Sequence, residues 1–211
     1  EVADGTSMTI DAFRNRIWEI KIRGEAHYTY SQQEKRERCL LEMAKRKLQT
    51  ESFYIKKDGI DAEAVETLII DDIVCQDDRN GYYFAHDIYQ EWALDYQVEA
   101  IWDETKDIVT FIQKLGDSLS SVNAFKRWYR RKIENDDECV TLFTDAVFNG
   151  TITAEKWQTA VFTEILRSKT YAKTFFAHNQ ETLKANDFQW GRSLMRILPV
   201  NCKEVLTYVT Y

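Results

Sequence analysis

His86 and Asp87 stand where a β-favouring aromatic run, YYFAH (82–86), meets a helical pattern, DIYQEWALDY (87–96). An imidazole donates or accepts a hydrogen bond near neutral pH, and a carboxylate orients such a ring or caps a helix. Two chemistries are therefore open at this corner. One is a His–Asp general-base dyad. In the other, Asp87 caps the helix and His86 ends the strand. A dyad needs both side chains aimed at one proton within hydrogen-bond reach, and neighbours along a chain seldom point at the same atom. Asp87 followed by Gln90 has capping-box spacing, which offers an acceptor to an orphan N–H of the helix. The cap is the stronger local reading.

Other candidate chemistry is sparse. The sequence contains no GxxxxGK[ST] or GxGxxG loop to cradle a phosphate, and no HExxH or GxSxG. No catalytic residue is expected, and this chain alone is not read as an enzyme. Cys39, Cys75, Cys139 and Cys202, with His27, His86 and His178, are scattered and form no CxxC pair. No metal site or disulfide framework is expected, and reduced thiols suit a cytoplasmic protein.

Two basic stretches, RERCLLEMAKRK (36–47) and FKRWYRRK (125–132), raise nucleic acid. Lys126, Arg127, Arg130, Arg131 and Lys132 beside Trp128 and Tyr129 mix phosphate-binding and base-stacking types. Against that stands a net charge of −7. The segment in the recognition position, DAEAVETLIIDDI (61–73), also carries Asp61, Glu63, Glu66, Asp71 and Asp72, which would repel a phosphate-lined groove. Nucleic acid is not the expected partner. The basic faces read as solvated surfaces or as contacts to a neighbouring domain.

The elements that position these residues are mostly helical. One proline and seven glycines in 211 residues are too few for the many turns of a β-rich fold. No apolar run approaches the roughly 18–20 residues that span a bilayer, and no signal peptide is visible. In MTIDAFRNRIWEIKIRGE (8–25), Ile10, Phe13, Ile17 and Ile20 share a helical face, with Gly24 as the stop. SQQEKRERCLLEMAKRKLQTES (31–52) follows, with Ser31 and Glu34 at capping-box spacing. Its inner face is Leu40, Leu41, Ala44 and Leu48, with Arg and Lys opposite.

FYIKKDG (53–59) predicts a short strand and turn. Asn80-Gly81, between IVCQ and YYFAH, is the best hairpin signal in the chain. The helix from Asp87 carries Ile88, Trp92, Tyr96 and Ile101. From Lys106 onward six segments keep a period near 3.6: 107–115, 121–136, 137–149, 154–170, 172–186 and 187–198. The expected fold is mainly α: a winged helix with a small β-hairpin wing (1–104), then an antiparallel helical bundle or array (105–211). A chain that opens at Glu1 without an initiator Met and closes on VLTYVTY reads as a piece of a longer polypeptide.

LIIDDIVCQDDRNGYYFAHDIYQEWALDY (68–96) resembles the winged-helix portion of STAND-class signalling ATPases, the AAA-related switch proteins that include the NACHT and NB-ARC groups. The phrase FAHDIYQEWA (84–93) carries most of the likeness, although Ala85 stands where the related MHD phrase has Met. IDAFRNRIWEIKIRGE (10–25) resembles the lid segment after the ATPase core, and 34–55 the early winged-helix helices. FKRWYRRKIEND, the Trp157 helix and GRSLMRILPVNCKEV resemble the connector to sensor repeats.

The resemblance implies that His86 contacts the β-phosphate of bound ADP and latches an inactive state, while Asp87 orients the loop or caps the helix. It places the P-loop, ATP or ADP and Mg in an upstream domain, so no cofactor belongs to this chain itself. It implies partners in that ATPase domain and in downstream sensor repeats, a homo-oligomer on activation, and a role in signalling or defence. Two other readings stay open: a winged-helix nucleic-acid-binding regulator with a helical oligomerisation domain, and a helical protein-interaction scaffold.

Overall fold

The computed structural model describes residues 9–135 and 138–201. Cys202 and the VLTYVTY end lie outside these described residues. The chain is mainly α, with one small antiparallel hairpin after the early helices, followed in sequence by a helical array. It divides into two compact units, the first ending at Gln97 and the second starting at Val98.

In the first unit, α1 (Ile10–Ile17) starts where the Thr9 hydroxyl accepts the Ala12 N–H at 3.2 Å. It runs on as a π-helix, Trp18–Arg23, which Gly24 ends in the left-handed region at φ 72°. Two residues of the face expected to be inside are outside, Phe13 at 53% and Ile20 at 40% exposure; Ile17 is half-buried, and Trp18 and Ile22 are buried instead. From Trp18 on, the wider π turn breaks the 3.6-residue phase, so spacing carried over from α1 selects Ile20 where Ile22 is the buried residue.

Helix α2 (Tyr30–Leu48) is capped by a box, but through Thr29 and Gln32 rather than Ser31 and Glu34. Leu40, Ala44 and Leu48 face inward as the spacing predicts, joined by Met43, while Leu41 is half-buried. Arg36 and Lys47 are also buried, contrary to an all-solvent basic face. Helix α3 (Ala62–Ile70) is capped by Asp61, whose Oδ1 accepts the Ala64 N–H at 3.1 Å. It buries Ala64, Val65 and Leu68.

Strands β1 (Val74–Asp77) and β2 (Gly81–Phe84) pair from Val74↔Phe84 to Asp77↔Gly81. The turn between them is Asp78–Asn80, closed by Asp77 Oδ1, which accepts the Arg79 and Asn80 N–H groups at 3.0 and 2.7 Å. Asn80-Gly81 is therefore not a two-residue turn. Gly81 opens β2 at φ 124°, and a Cβ there would run into the Ile55 carbonyl oxygen. The close approach has a cause: Ile55 exchanges both backbone bonds with Tyr82, at 2.7 and 2.8 Å. The strand expected in 53–59 is this single bridge, and it gives the wing a third rung.

Helix α4 (Asp87–Thr105) buries Ala93, Leu94 and Asp95 in the first unit, while Ile88 is exposed and Trp92 and Tyr96 are half-buried. Large apolar side chains lie all around this helix, so spacing alone does not choose its inner face.

The second unit holds α5 (Ile108–Leu115), α6 (Leu119–Glu134), α7 (Cys139–Phe148), α8 (Glu155–Arg167), α9 (Tyr171–His178) and α10 (Gln180–Asn201). Asp107 and Ser118 cap α5 and α6, accepting the Thr110 and Ser121 N–H groups at 2.8 and 3.0 Å. Helix α8 packs against α6, α7, α9 and α10, and every residue from Ala160 to Leu166 is buried. Trp102, Phe111, Phe125, Trp128 and Phe143 form one aromatic cluster around α6.

The expected helix 172–186 is interrupted at Asn179, whose side chain donates to the Phe175 carbonyl at 2.9 Å. The boundary expected near 186 is present as a break in α10: Asn186, Asp187 and Phe188 take left-handed conformations.

Candidate functional site

The corner that carries His86 is fixed by main-chain bonds. Beyond Phe84 the Ala85 N–H donates to the Ile73 carbonyl at 3.0 Å, and Ile73 N–H donates to Leu68 at 2.9 Å. The end of the hairpin is thereby tied to the end of α3. The His86 carbonyl then accepts the N–H groups of Tyr89 and Gln90, at 3.1 and 3.4 Å, so His86 stands at the cap and Asp87 is the first helical residue. The Asp87 carboxylate takes no hydrogen bond among the described residues. It faces the positive end of α4 through charge rather than through a capping box.

Both side chains are exposed, and no hydrogen bond joins them. The His86 ring lies 5.7 Å from that of Tyr89, tilted by 59°. Its nitrogens have no hydrogen-bond partner among the described residues. A neutral or protonated imidazole so placed has an N–H to offer to an oxyanion, and nothing nearby acts as its base or orienter. Among the described residues no three His, Cys, Asp or Glu side chains gather as a metal ion would require.

A buried polar seam behind this corner was invisible to sequence reasoning. Arg36 donates through Nε to the Ile22 carbonyl at 2.9 Å, and through Nη2 to the Lys21 carbonyl at 3.2 Å and Asp71 Oδ2 at 2.8 Å. Its guanidinium sits 4.2 Å from the centre of the Tyr28 ring, and the Tyr28 hydroxyl donates to the same Asp71 oxygen at 3.2 Å. Burial keeps the Tyr28 phenol above its ordinary pKa.

Glu37 beside it accepts from Trp18 Nε1 and Arg23 Nη1, each at 2.8 Å. Arg14 pairs with the buried Asp95 at 3.7 Å, and the Tyr96 hydroxyl donates to Asn15 at 2.5 Å. The seam thus fastens the π-helix to α2, α3 and the first half of α4. Its sequence trace was Arg36, which the amphipathic pattern of 31–52 placed opposite the apolar face.

The basic stretch 125–132 does not form a stacking surface. Trp128 and Tyr129 are fully buried: Trp128 Nε1 donates to Glu99 at 2.8 Å, and the Tyr129 hydroxyl to the Val140 carbonyl at 3.1 Å. Among its cations, Lys132 pairs with Glu99 at 2.8 Å and Arg130 with the wholly buried Glu164 at 2.7 Å.

No helix of the described residues is long and apolar enough to cross a membrane. Compared with known proteins, the chain matches no family model, and no curated protein is significantly similar to it in sequence.

Proposed function

We propose that the chain is the winged-helix and connector region of a STAND-type signalling ATPase, with His86 reading the diphosphate of a nucleotide held by an upstream P-loop domain. The observation that supports this reading most is the His86 corner. An exposed imidazole with no partner in its own unit sits on a main-chain-fixed turn, at the head of a 19-residue helix. An N–H donor of that kind fits a phosphate oxygen, and a charge-assisted bond made in one nucleotide state favours that state. Asp87, being anionic, fits the helix end and not the phosphate. ATP or ADP and Mg would be bound by the upstream domain. The helical array would carry the resulting movement toward sensor repeats or an oligomer partner as a rigid body.

The nucleic-acid regulator reading loses its support in α6, because the two rings that would stack on bases lie in the core. A plain interaction scaffold has no use for an unpartnered imidazole at the wing.

The test is the replacement His86→Ala in the full-length polypeptide, with co-purified nucleotide quantified after gel filtration. The reading expects less ADP retained and higher basal activity. Unchanged retention with unchanged activity overturns it. Because His86 is exposed, the variant should unfold within about 0.5 kcal/mol of the parent, which separates a latch defect from a folding defect.

A further inference from the structure

We propose that α10 is a spring-loaded strap, docked on α8 while bent at 185–188 and released when it straightens into one helix. The proposal is independent of the role given to His86. At the bend Ala185 is extended, with ψ 160°, and Asn186, Asp187 and Phe188 follow at φ 50°, 56° and 56°. Asn and Asp tolerate the left-handed region, whereas a side chain as bulky as Phe188 is an outlier there. An ordinary side chain in that region disfavours the bend by roughly five- to thirtyfold. All four residues are exposed, so no burial of their own compels the conformation.

The sequence meanwhile suits an uninterrupted helix. Residues 180–190 contain neither Gly nor Pro. Trp190, Leu194 and Leu198 follow Leu183 by seven, eleven and fifteen residues, which is one face of a straight helix. Helical phase is therefore kept across a break that the Phe188 backbone resists.

What holds the bend is the far arm. The Trp190 ring lies 5.7 Å from that of Phe148 and 6.0 Å from that of Phe162. Leu194 and Leu198 are buried beyond it, and Leu183 before the bend. The two arms fold back closely, since a Cβ on Gly191 would sit 3.3 Å from the Leu183 carbonyl oxygen. In a straight helix the eight steps between those residues span about 12 Å. Arg192 pairs with Asp187 across the bend at 2.8 Å, but both side chains are largely in solvent. Docking of the arm thus sustains the strain, and release relieves it. Straightening lifts Trp190 away and uncovers the Phe148 and Phe162 rings.

The experiment is double electron–electron resonance on the full chain, with spin labels on ketone-bearing residues placed at the exposed positions Glu181 and Met195. A straight α10 puts their Cα atoms about 21 Å apart, and the bent one gives a shorter distance. Asn186→Ala with Asp187→Ala exchanges two tolerant residues for the best helix former, and should raise the long-to-short ratio about tenfold or more. Adding Trp190→Ala should make the long distance the majority. Phe188→Gly in that triple variant should restore the short distance, lowering the ratio about fivefold or more. A short distance unchanged in the triple variant overturns the proposal. So does a broad distribution without a peak near the straight-helix value, which is fraying, or a ratio that ignores Phe188→Gly. Circular dichroism should show helix gained in the double and triple variants, and a long distance that accompanies lost helix counts against the proposal.

Discussion

Replacing Asp71 with Asn should weaken the first unit by about 2–3 kcal/mol without altering its secondary structure. The magnitude comes from the surroundings of Arg36. That side chain is 1% exposed, its Nη1 lacks a partner, and Asp71 is the carboxylate it pairs with among the described residues. Removing one member of a buried ion pair costs about 3–5 kcal/mol, because the other charge is left desolvated. Two features reduce the figure. Asp71 is 32% exposed, so water screens part of the pair, and the Tyr28 ring 4.2 Å from the guanidinium continues to stabilise it.

Urea unfolding followed by circular dichroism measures the loss. Hydrogen exchange at the amides of 18–23 should show it locally, because Arg36 holds the Lys21 and Ile22 carbonyls. The double variant Arg36→Met with Asp71→Asn should be no less stable than Asp71→Asn alone, since the stranded charge has gone. A cost below about 0.5 kcal/mol for Asp71→Asn, or strict additivity in the double variant, would refute the reasoning.

Two further outcomes follow from single residues. Gly81→Ala should cost more than about 2 kcal/mol and speed exchange at the Ile55 and Tyr82 amides, because both its φ of 124° and the Ile55 carbonyl oppose a side chain. Gly150→Ala, at φ 80° with open space around it, is the control, and an equal cost at the two sites would remove the steric argument. Burial pushes the Cys39 thiol up to about 12. Its folded pKa thus lies above its unfolded one, so its contribution is fully present below the unfolded pKa of about 8.5 and is lost as pH rises toward the folded value. Stability should fall by up to about 1.4 kcal/mol per pH unit in that window, and Cys39→Ala should flatten the slope. A thiol reagent at neutral pH should label the half-buried Cys75 before Cys39.

Composition and periodicity made the helical character, the hairpin near Asn80 and the later break near Asn186 legible, because these depend on local backbone preference. They failed where a local irregularity or a distant partner intervened. The π turn from Trp18 put Ile22 rather than Ile20 inside, and no count of 3.6-residue steps contains it. The cap of α2 moved to Thr29, although Ser is the better N-cap by type, because the chain is already extended at Thr29 and helical from Tyr30. Asp87 kept its helix end but lost its capping bond, because the His86 carbonyl took the Gln90 N–H. Trp128 and Tyr129 look like stacking residues among basic neighbours until the aromatic cluster of the second unit encloses them.

By itself the sequence determined that this chain is built mainly from helices, that a turn lies between Val74 and Phe84, and that His86 stands at the strand-to-helix corner. Local propensity and alternation are sufficient for each. Only the tertiary structure decided that Arg36 is a buried tie and not a surface charge, that Gly81 exists for the sake of Ile55, and that Trp190 lies against Phe148 and Phe162. Those facts depend on segments remote in sequence meeting in space, where burial and exclusion of water set what each side chain can do.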